Sequence, residues 1–154
     1  MANFYGANYT KTNINVPADK IDDGEFGGLV RVAYDSYTFS AVIATTDVLY
    51  MTKIPKGARV LDVVVKCSDL GTTGALNIGW QASVVSGESA SATGFFAALD
   101  VNAAAIGKRM TAETAPSAGL HKSFSQEVQV VVVPSAITTA TSGSISIAVE
   151  YVID

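Results

Sequence analysis

Residues 59–67 read Arg59-Val60-Leu61-Asp62-Val63-Val64-Val65-Lys66-Cys67, and they show the strand pattern of this sequence most clearly. Apolar side chains recur at every second position from Leu61 to Cys67, and Asp62 and Lys66 fall between them. A period of two is typical of a β-strand with one face in the core and the other toward water. The pattern predicts a core strand here.

Turn signals bound this strand on both sides. Before it, residues 53–57 contain Pro55, which presets φ, and Gly57, which allows the positive φ of a type II turn. After it, residues 69–74 contain two glycines and lead into a second alternating segment, Ala75–Gln81. The sequence therefore predicts a hairpin between the two strands.

Five further segments are predicted as strands: Leu29–Phe39, Asp47–Met51, Leu120–Phe124, Glu127–Val133 and Ser144–Ile153. In the first of them, Val30, Val32 and Tyr34 share one side, which is typical of a strand with one exposed face. Consecutive valines at 130–133 predict burial on both faces, and Pro134 is expected to end that strand.

A long connection separates the second hairpin strand from the later ones. It opens with the Ser-, Gly- and Ala-rich stretch Val84–Gly94. Within it, residues 100–106 are the one segment with helical character, and Asp100 is a suitable N-cap. We expect one or two helical turns there and no other helix.

The composition supports an all-β fold. Val, Ile and Thr make up 43 of the 154 residues, and β-branched side chains favour strands over helices. The pattern predicts an antiparallel β-sandwich, jelly-roll-like, with seven or eight strands and at most one short helix. We expect a single sandwich domain over residues 29–154, preceded by an extended N-terminal arm over residues 1–28.

The arm is polar and rich in turn residues, yet it contains apolar side chains. The aromatic ones follow neither a strand nor a helix period, and so short a segment cannot bury them by itself. Either the arm lies along the body of the protein or it docks on a neighbouring chain. The predicted interface anchors are Phe4, Tyr5, Tyr9, Ile14 and Val16.

Charge and targeting signals exclude several classes of partner. The net charge is −4 and the basic residues are scattered, which argues against nucleic acid as a partner. The sequence lacks an apolar run long enough to span a membrane and an export signal at its start, so we expect no membrane partner and synthesis in the cytoplasm. A single cysteine, Cys67, excludes an intrachain disulfide.

The sequence offers no catalytic, cofactor or metal site. His121 is the single histidine, and Cys67 lies in the middle of a core strand, where a nucleophile is not expected. Strand carboxylates are expected to face solvent rather than to form an acid pair: Asp62, Asp69, Asp100, Glu127 and Glu150. Four further carboxylates, Asp19, Asp22, Asp23 and Glu25, lack the spacing of an EF-hand loop. We expect a protein that is not an enzyme and that needs no cofactor.

Several segments resemble small virion structural proteins of tailed bacteriophages, above all head decoration (cement) proteins. They are Ala2–Tyr9, the turn and strand Lys53-Ile54-Pro55-Lys56-Gly57-Ala58-Arg59-Val60-Leu61, the strand Leu76–Trp80 and the terminal strand Ile145–Tyr151. In that family an Ile-Pro-Lys-Gly-Ala turn introduces a strand of a β-sandwich, and the proteins commonly sit as trimers on the outside of the capsid.

The resemblance implies a protein on the exterior of the virion head that binds the major capsid protein and assembles with itself as a homotrimer. Two alternatives remain open: a tail, neck or fibre component of a phage, and a small carbohydrate-binding β-sandwich. The second needs an exposed aromatic platform. Trp80 shares the apolar phase of Leu76 and Ile78, however, and is expected in the core.

Overall fold

The computed structural model describes residues 28–83, 87–102, 106–113, 117–136 and 141–153. These residues contain eight strands and one short 3₁₀ turn, Met110–Ala112. The strands are β1 Arg31–Phe39, β2 Leu49–Ile54, β3 Ala58–Cys67, β4 Ala75–Ala82, β5 Ser91–Asp100, β6 Ile106–Arg109, β7 Val128–Ala136 and β8 Gly143–Ile153. The all-β prediction is confirmed.

The strands form two antiparallel sheets of four strands each. One sheet has the order β1-β8-β3-β6, and the other has the order β2-β7-β4-β5. Successive strands cross from one sheet to the other except at β4 and β5, which are neighbours. This arrangement of two interleaved Greek keys is a jelly roll, as the sequence predicts.

The core lies between the two sheets and is built from β-branched and aromatic side chains. In β8, Ile145, Ile147 and Val149 are fully buried, and in β7 both Val130 and Val131 are buried although they point to opposite faces. The predicted burial of the 130–133 strand on both faces is confirmed. In β8 the alternation of Ile145, Ile147 and Val149 does not continue to the end of the strand, because Val152 is buried whereas Ile153 is exposed.

The predicted hairpin between Arg59 and Gln81 does not exist. β3 pairs with β8 and β6, whereas β4 pairs with β5 and β7 in the opposite sheet. The connecting loop crosses the sandwich, and it carries Leu70, which is buried in the core and whose N–H donates to the carbonyl of Val101 at 3.2 Å. Turn residues predict where the chain reverses, but not to which sheet it returns.

A β-bulge in β3 changes which residues face the core. The register with β8 shifts between Val60 and Asp62, so that Val60 is buried before the bulge and Val63 is buried after it. Leu61, predicted to face the core, is half-buried at the bulge. Asp62 was expected to face solvent, and the structure corrects this, because the residue is 4% exposed.

The long connection contains two strands that the sequence pattern does not predict, β5 and β6. β5 is rich in small residues and its pairing with β4 shifts register twice, so no alternation is visible in its sequence. The helix expected at residues 100–106 is wrong at both ends, because Asp100 ends β5 and Ile106 begins β6. Residues 103–105 lie outside the described part.

Two smaller predictions also fail, and one holds. β7 continues through Pro134, which is tolerated because a register shift in β4 lies opposite it, between Ala75 and Leu76. Residues 120–124 form no strand and make a single bridge, from Ser123 to Arg59. The predicted turn at residues 53–57 is present, since Gly57 has a φ of 80°.

Candidate functional site

The five predicted anchors of the N-terminal arm lie outside the described residues. These are Phe4, Tyr5, Tyr9, Ile14 and Val16. The structure neither places them nor tests the boundary between arm and domain. The described sandwich has exposed apolar side chains of its own, and they define its candidate interaction surface.

Four exposed apolar side chains in β1 and just before it form what we call the β1 patch: Leu29, Val30, Val32 and Tyr34. Val32 is 59% exposed and Tyr34 is 64% exposed. Val32 lies opposite Glu150 of β8, and Tyr34 lies opposite Ala148, on the outer face of the sheet. The predicted single exposed face is only partly present, because Arg31 and Tyr37 on the other side of the strand are exposed as well.

The second half of β1 explains why Val32 and Tyr34 face outward. Tyr37 lies opposite Ile145 of β8, which is fully buried, and Phe39 is itself buried. The rings of Tyr37 and Phe39 meet edge to face at 5.1 Å between centroids. Because these odd-numbered positions face the core, Val32 and Tyr34 must face outward. The aromatic pair at 37 and 39 was the sequence signal for this orientation.

A pocket of about 380 Å³ with a mixed polar and apolar lining adjoins the end of β1. It lies between β1, the loop that follows it and the strands β2 and β7, and we call it the β1–β2 pocket. Three of its lining side chains, Tyr37, Val42 and Val48, are exposed. Its apolar lining comes from Tyr37, Phe39, Ala41, Val42, Ile43, Val48, Leu49, Val132 and Pro134.

A charged cluster lies beside the β1 patch on the same outer face. Arg109 of β6 donates from Nε to Asp62 Oδ2 at 2.6 Å and from Nη2 to Glu150 Oε1 at 3.2 Å. Asp62 also accepts hydrogen bonds from Thr111, from the backbone N–H and from the hydroxyl, each at 3.1 Å. One guanidinium thus joins the carboxylates of two neighbouring strands.

This cluster is not an acid pair for glycoside hydrolysis. Burial by itself raises the pKa of Asp62, but the hydrogen bonds from Arg109 and Thr111 outweigh that effect and hold the pKa below its ordinary value. A general acid needs a raised pKa so that it is protonated near neutral pH. Asp62 is instead ionised near neutral pH as the partner of Arg109, as in a structural ion pair.

The other strand carboxylates are engaged in local contacts. Asp69 accepts from the N–H of Gly71 at 2.7 Å, and Asp100 accepts from the N–H of Asn102 at 2.9 Å. Glu127 accepts from Lys53 at 2.8 Å and from the hydroxyl of Ser83 at 2.7 Å. Each of these contacts closes a turn or ties neighbouring segments together.

A second polar cluster fixes residues 117–125 against the end of the sandwich. Glu88 accepts from the N–H and the hydroxyl of Ser125 at 2.6 Å and 2.7 Å and from Lys122 at 3.3 Å. The Lys122 ammonium lies 5.6 Å from the ring centroid of Trp80 and 5.2 Å from that of Phe124. Trp80 is 3% exposed, so its ring is not available as a sugar platform.

Cys67 and His121 are the residues whose side chains are suited to act as a nucleophile and a base. Cys67 is buried, and burial raises the pKa of its thiol to about 11. His121 is exposed, and its backbone N–H donates to the backbone carbonyl of Val60 at 2.9 Å. Among the residues that the structure describes, neither forms the hydrogen-bonded pair that nucleophilic catalysis requires.

The described ranges contain neither a metal-binding cluster nor a membrane-spanning helix. No three His, Cys, Asp or Glu side chains in these ranges are grouped so that they can hold a metal ion. No helix in the same ranges is long and apolar enough to cross a membrane. The carboxylates at 19, 22, 23 and 25 lie outside the ranges.

The sequence matches no protein-family model and no curated protein. Two solved structures share the fold. A chain from the capsid asymmetric unit of cyanophage Pam1 aligns with a TM-score of 0.59 and 23% identity, over 84% of this chain and 88% of that chain. A chain from the capsid of Ralstonia phage GP4 aligns with a TM-score of 0.63 and 21% identity, over 82% of this chain and 86% of that chain. The protein therefore has a jelly-roll fold that is also found in chains of phage capsids.

Proposed function

We propose that this chain is a non-enzymatic structural protein of a tailed-bacteriophage particle, and that it binds the outer surface of the head shell as a decoration (cement) protein. The observation that carries the proposal is the alignment with two phage capsid chains over more than 80% of this chain. The family resemblance of the turn at residues 53–57 supports the same role.

The β1 patch is the surface of the sandwich best suited to contact the shell. Its apolar side chains are bordered by the charged cluster of Asp62, Arg109 and Glu150, since Val32 lies directly opposite Glu150. An apolar centre with a polar rim is the usual anatomy of a protein interface. Fully burying one large apolar side chain contributes roughly 1.5 to 3 kcal/mol, so a few of them suffice for a specific contact.

In this proposal the partners are the major capsid protein and further copies of the chain, which form a homotrimer. The N-terminal arm supplies intermolecular contacts through the apolar residues that the sequence predicts to be interface anchors. A closed ring of three copies hides such residues symmetrically. Light scattering should then give about three times the chain mass of 16.0 kDa, and a mass of one chain at micromolar concentration would contradict the trimer.

Removal of residues 1–20 separates the arm from the sandwich. The truncated chain should keep its cooperative unfolding but lose trimer formation or binding to the shell. Full decoration by the truncated chain would show that the arm is dispensable. Unfolding of the truncated chain would show that the arm belongs to the core.

Location within the particle is tested by separating heads from tails. Quantitative mass spectrometry of the purified fractions should find this chain with the heads, at a fixed copy number relative to the major capsid protein. Recovery with the tail fraction would favour the alternative, a tail, neck or fibre component, over head decoration.

A further inference from the structure

The two sheets end in four edge strands, β1 and β6 in one sheet and β2 and β5 in the other. Natural proteins protect such edges from pairing with other chains by shortness or bulges, among other means. β6 has four residues, β2 has one register shift and β5 has two. β1 differs, because its nine residues pair with β8 without a shift and no described strand pairs with its other side. We call that other side the outer edge of β1.

Hydrogen bonds at the end of the sheet show which backbone groups of β1 point to its outer edge. In β8, the N–H of Ser144 donates to Ser68 Oγ at 2.7 Å, and its carbonyl accepts from the N–H of Ser68 at 2.9 Å. Even-numbered residues of β8 therefore bond toward β3, and odd-numbered ones bond to β1, where their partners are odd-numbered as well. The even-numbered residues of β1 are left to direct their N–H and C=O groups to the outer edge. Ser36 agrees, because its N–H donates to the Asp35 carboxylate at 2.7 Å.

The side chains of β1 are self-complementary when a second copy of the strand runs antiparallel along the outer edge. In a pairing centred on Ala33, Arg31 lies opposite Asp35 of the second copy, and Asp35 lies opposite Arg31. Val32 and Tyr34 face each other in the same reciprocal way. Pairs of opposite charge and pairs of an aromatic with a β-branched residue are among those that stabilise a sheet.

Other registers lack this match. A pairing centred on Arg31 or on Asp35 sets two like charges directly opposite each other, which is destabilising. A pairing centred on either neighbour of Ala33 leaves both charged residues opposite uncharged ones. The register centred on Ala33 is thus the one that joins each arginine to a carboxylate.

The same register covers apolar surface just before β1. Leu29 is 74% exposed, and it comes to lie opposite Tyr37 of the second copy, which is 43% exposed in the single chain. Both residues belong to the odd-numbered side of the strand. Val32 and Tyr34 stay on the outer face of the sheet, so the β1 patches of the two copies become one continuous surface.

We infer that two copies of this chain join their β1 strands edge to edge, antiparallel and centred on Ala33, so that two sheets of four strands become one sheet of eight. Such a pairing has two-fold symmetry and cannot close a ring of three. It is a contact between copies of different trimers and goes beyond the proposed function. A single strand edge buries less than the roughly 1,200 Å² of a stable interface, so the contact is transient in dilute solution.

Disulfide trapping of the purified full chain tests this inference. The two Ala33 positions form a non-hydrogen-bonded pair with Cα atoms about 4.5 Å apart, which a disulfide can span. Ala33→Cys should therefore give a covalent dimer of twice the 16.0 kDa chain mass, with oxidised glutathione as the electron acceptor. Native Cys67 is buried and should not react.

Ser36→Cys is the matched control for this trapping. Ser36 is an exposed residue of the same strand, but in the proposed register the two Ser36 positions are offset by six residues, or roughly 20 Å. Its dimer should form at least tenfold more slowly than that of Ala33→Cys. Dimer formation at equal rates would overturn the inference.

Exchange of the two charges tests the register. In the Ala33→Cys chain, Arg31→Asp should slow dimer formation at least fivefold, because carboxylates then face each other twice. Asp35→Arg should slow it as well, and the two changes together should restore the rate. Slowing that the second change does not relieve would overturn the register. Melting temperatures show that each variant is folded.

Hydrogen exchange distinguishes a second copy from a cover within the same molecule. The outer-edge amides of Val32 and Tyr34 should exchange faster on dilution from millimolar to micromolar protein. Protection of these amides that is independent of concentration would assign the outer edge to another segment of the same chain and would overturn the inference. None of these measurements contains capsid shells, so their outcome does not depend on binding to the head.

Discussion

Arg109 Nε lies 2.6 Å from Asp62 Oδ2, and this contact joins the short edge strand β6 to the bulge of β3. The bulge turns Asp62 into a site that is almost closed to solvent, and the carboxylate is satisfied there by Arg109, by Thr111 and by the N–H of Val63 at 2.8 Å. A strand of four residues has few backbone bonds of its own. The side-chain pair therefore helps to hold β6 at the edge of the sheet.

Asp62→Asn should lower the free energy of unfolding by about 1 to 3 kcal/mol, since hydrogen bonds to a charged group are worth more than neutral ones and Arg109 loses its closest partner. Chemical denaturation monitored by tryptophan fluorescence measures this. Glu113→Gln is the control, because Glu113 forms a surface pair with Lys108 at 3.7 Å and such pairs contribute little. Equal stability of the two variants would contradict a structural role for the Asp62 cluster.

Acid should destabilise the sandwich through three carboxylates. The hydrogen bonds of Asp62 to Arg109 and Thr111, of Glu88 to Ser125 and of Glu127 to Lys53 hold the pKa of each below its ordinary value in the folded protein. Each therefore stabilises the fold above the ordinary pKa, and that contribution is lost as the pH falls through the lower folded pKa. Melting temperatures should decline below about pH 4, and less steeply in Asp62→Asn. A melting temperature that rises on acidification would contradict these assignments.

Gly94→Ala should destabilise the protein by roughly 1 to 3 kcal/mol, the usual cost of overpacking a core. A Cβ at Gly94 collides with the indole ring of Trp80, which is itself held between Phe95 and Phe124 at 5.2 Å from each. Gly107→Ala is the matched control, because nothing lies within 4 Å of a Cβ there. Thermal unfolding of the two variants should therefore differ clearly. Two equal melting temperatures would show that the Trp80 cluster accommodates the added methyl group.

The thiol of Cys67 should react slowly with a disulfide reagent at pH 8 in the folded protein, because it is buried and its pKa is raised to about 11. In denaturant the same thiol should react at least about 100-fold faster, since two pKa units change the thiolate fraction by that factor. Absorbance of the released thiol measures both rates. Equal rates would place Cys67 at the surface.

The sequence predicts strands well where one register is kept along the whole strand. β8 from Ile145 to Val149 is an example, because it pairs with β1 without a shift. Prediction fails where a bulge changes the alternation of buried and exposed residues, as at Leu61. It also fails where a neighbouring ring leaves space only for a small residue, as Trp80 does at Gly94. Such features depend on contacts between distant parts of the chain, which a local pattern does not contain.

The candidate surface was only partly predictable for a related reason. The alternation of Val30, Val32 and Tyr34 identifies a strand face, but whether that face is buried depends on the core contacts of Tyr37 and Phe39. The partnership of Asp62 with Arg109 was missed because 47 residues separate them in sequence. The arm anchors stay a prediction, since they lie outside the described residues.

The decoration role is tested most directly by binding of the purified protein to shells that are built from the major capsid protein and do not yet carry this chain. Sedimentation of such shells with increasing amounts of this chain should give saturable binding at a fixed ratio to the capsid subunit. Val32→Ser combined with Tyr34→Ser in the β1 patch should weaken it at least tenfold, whereas Tyr50→Ser, an exposed aromatic residue of the other sheet, should not. No binding to the shells at any concentration would contradict the decoration role, and equal binding by all three proteins would contradict the assignment of the patch.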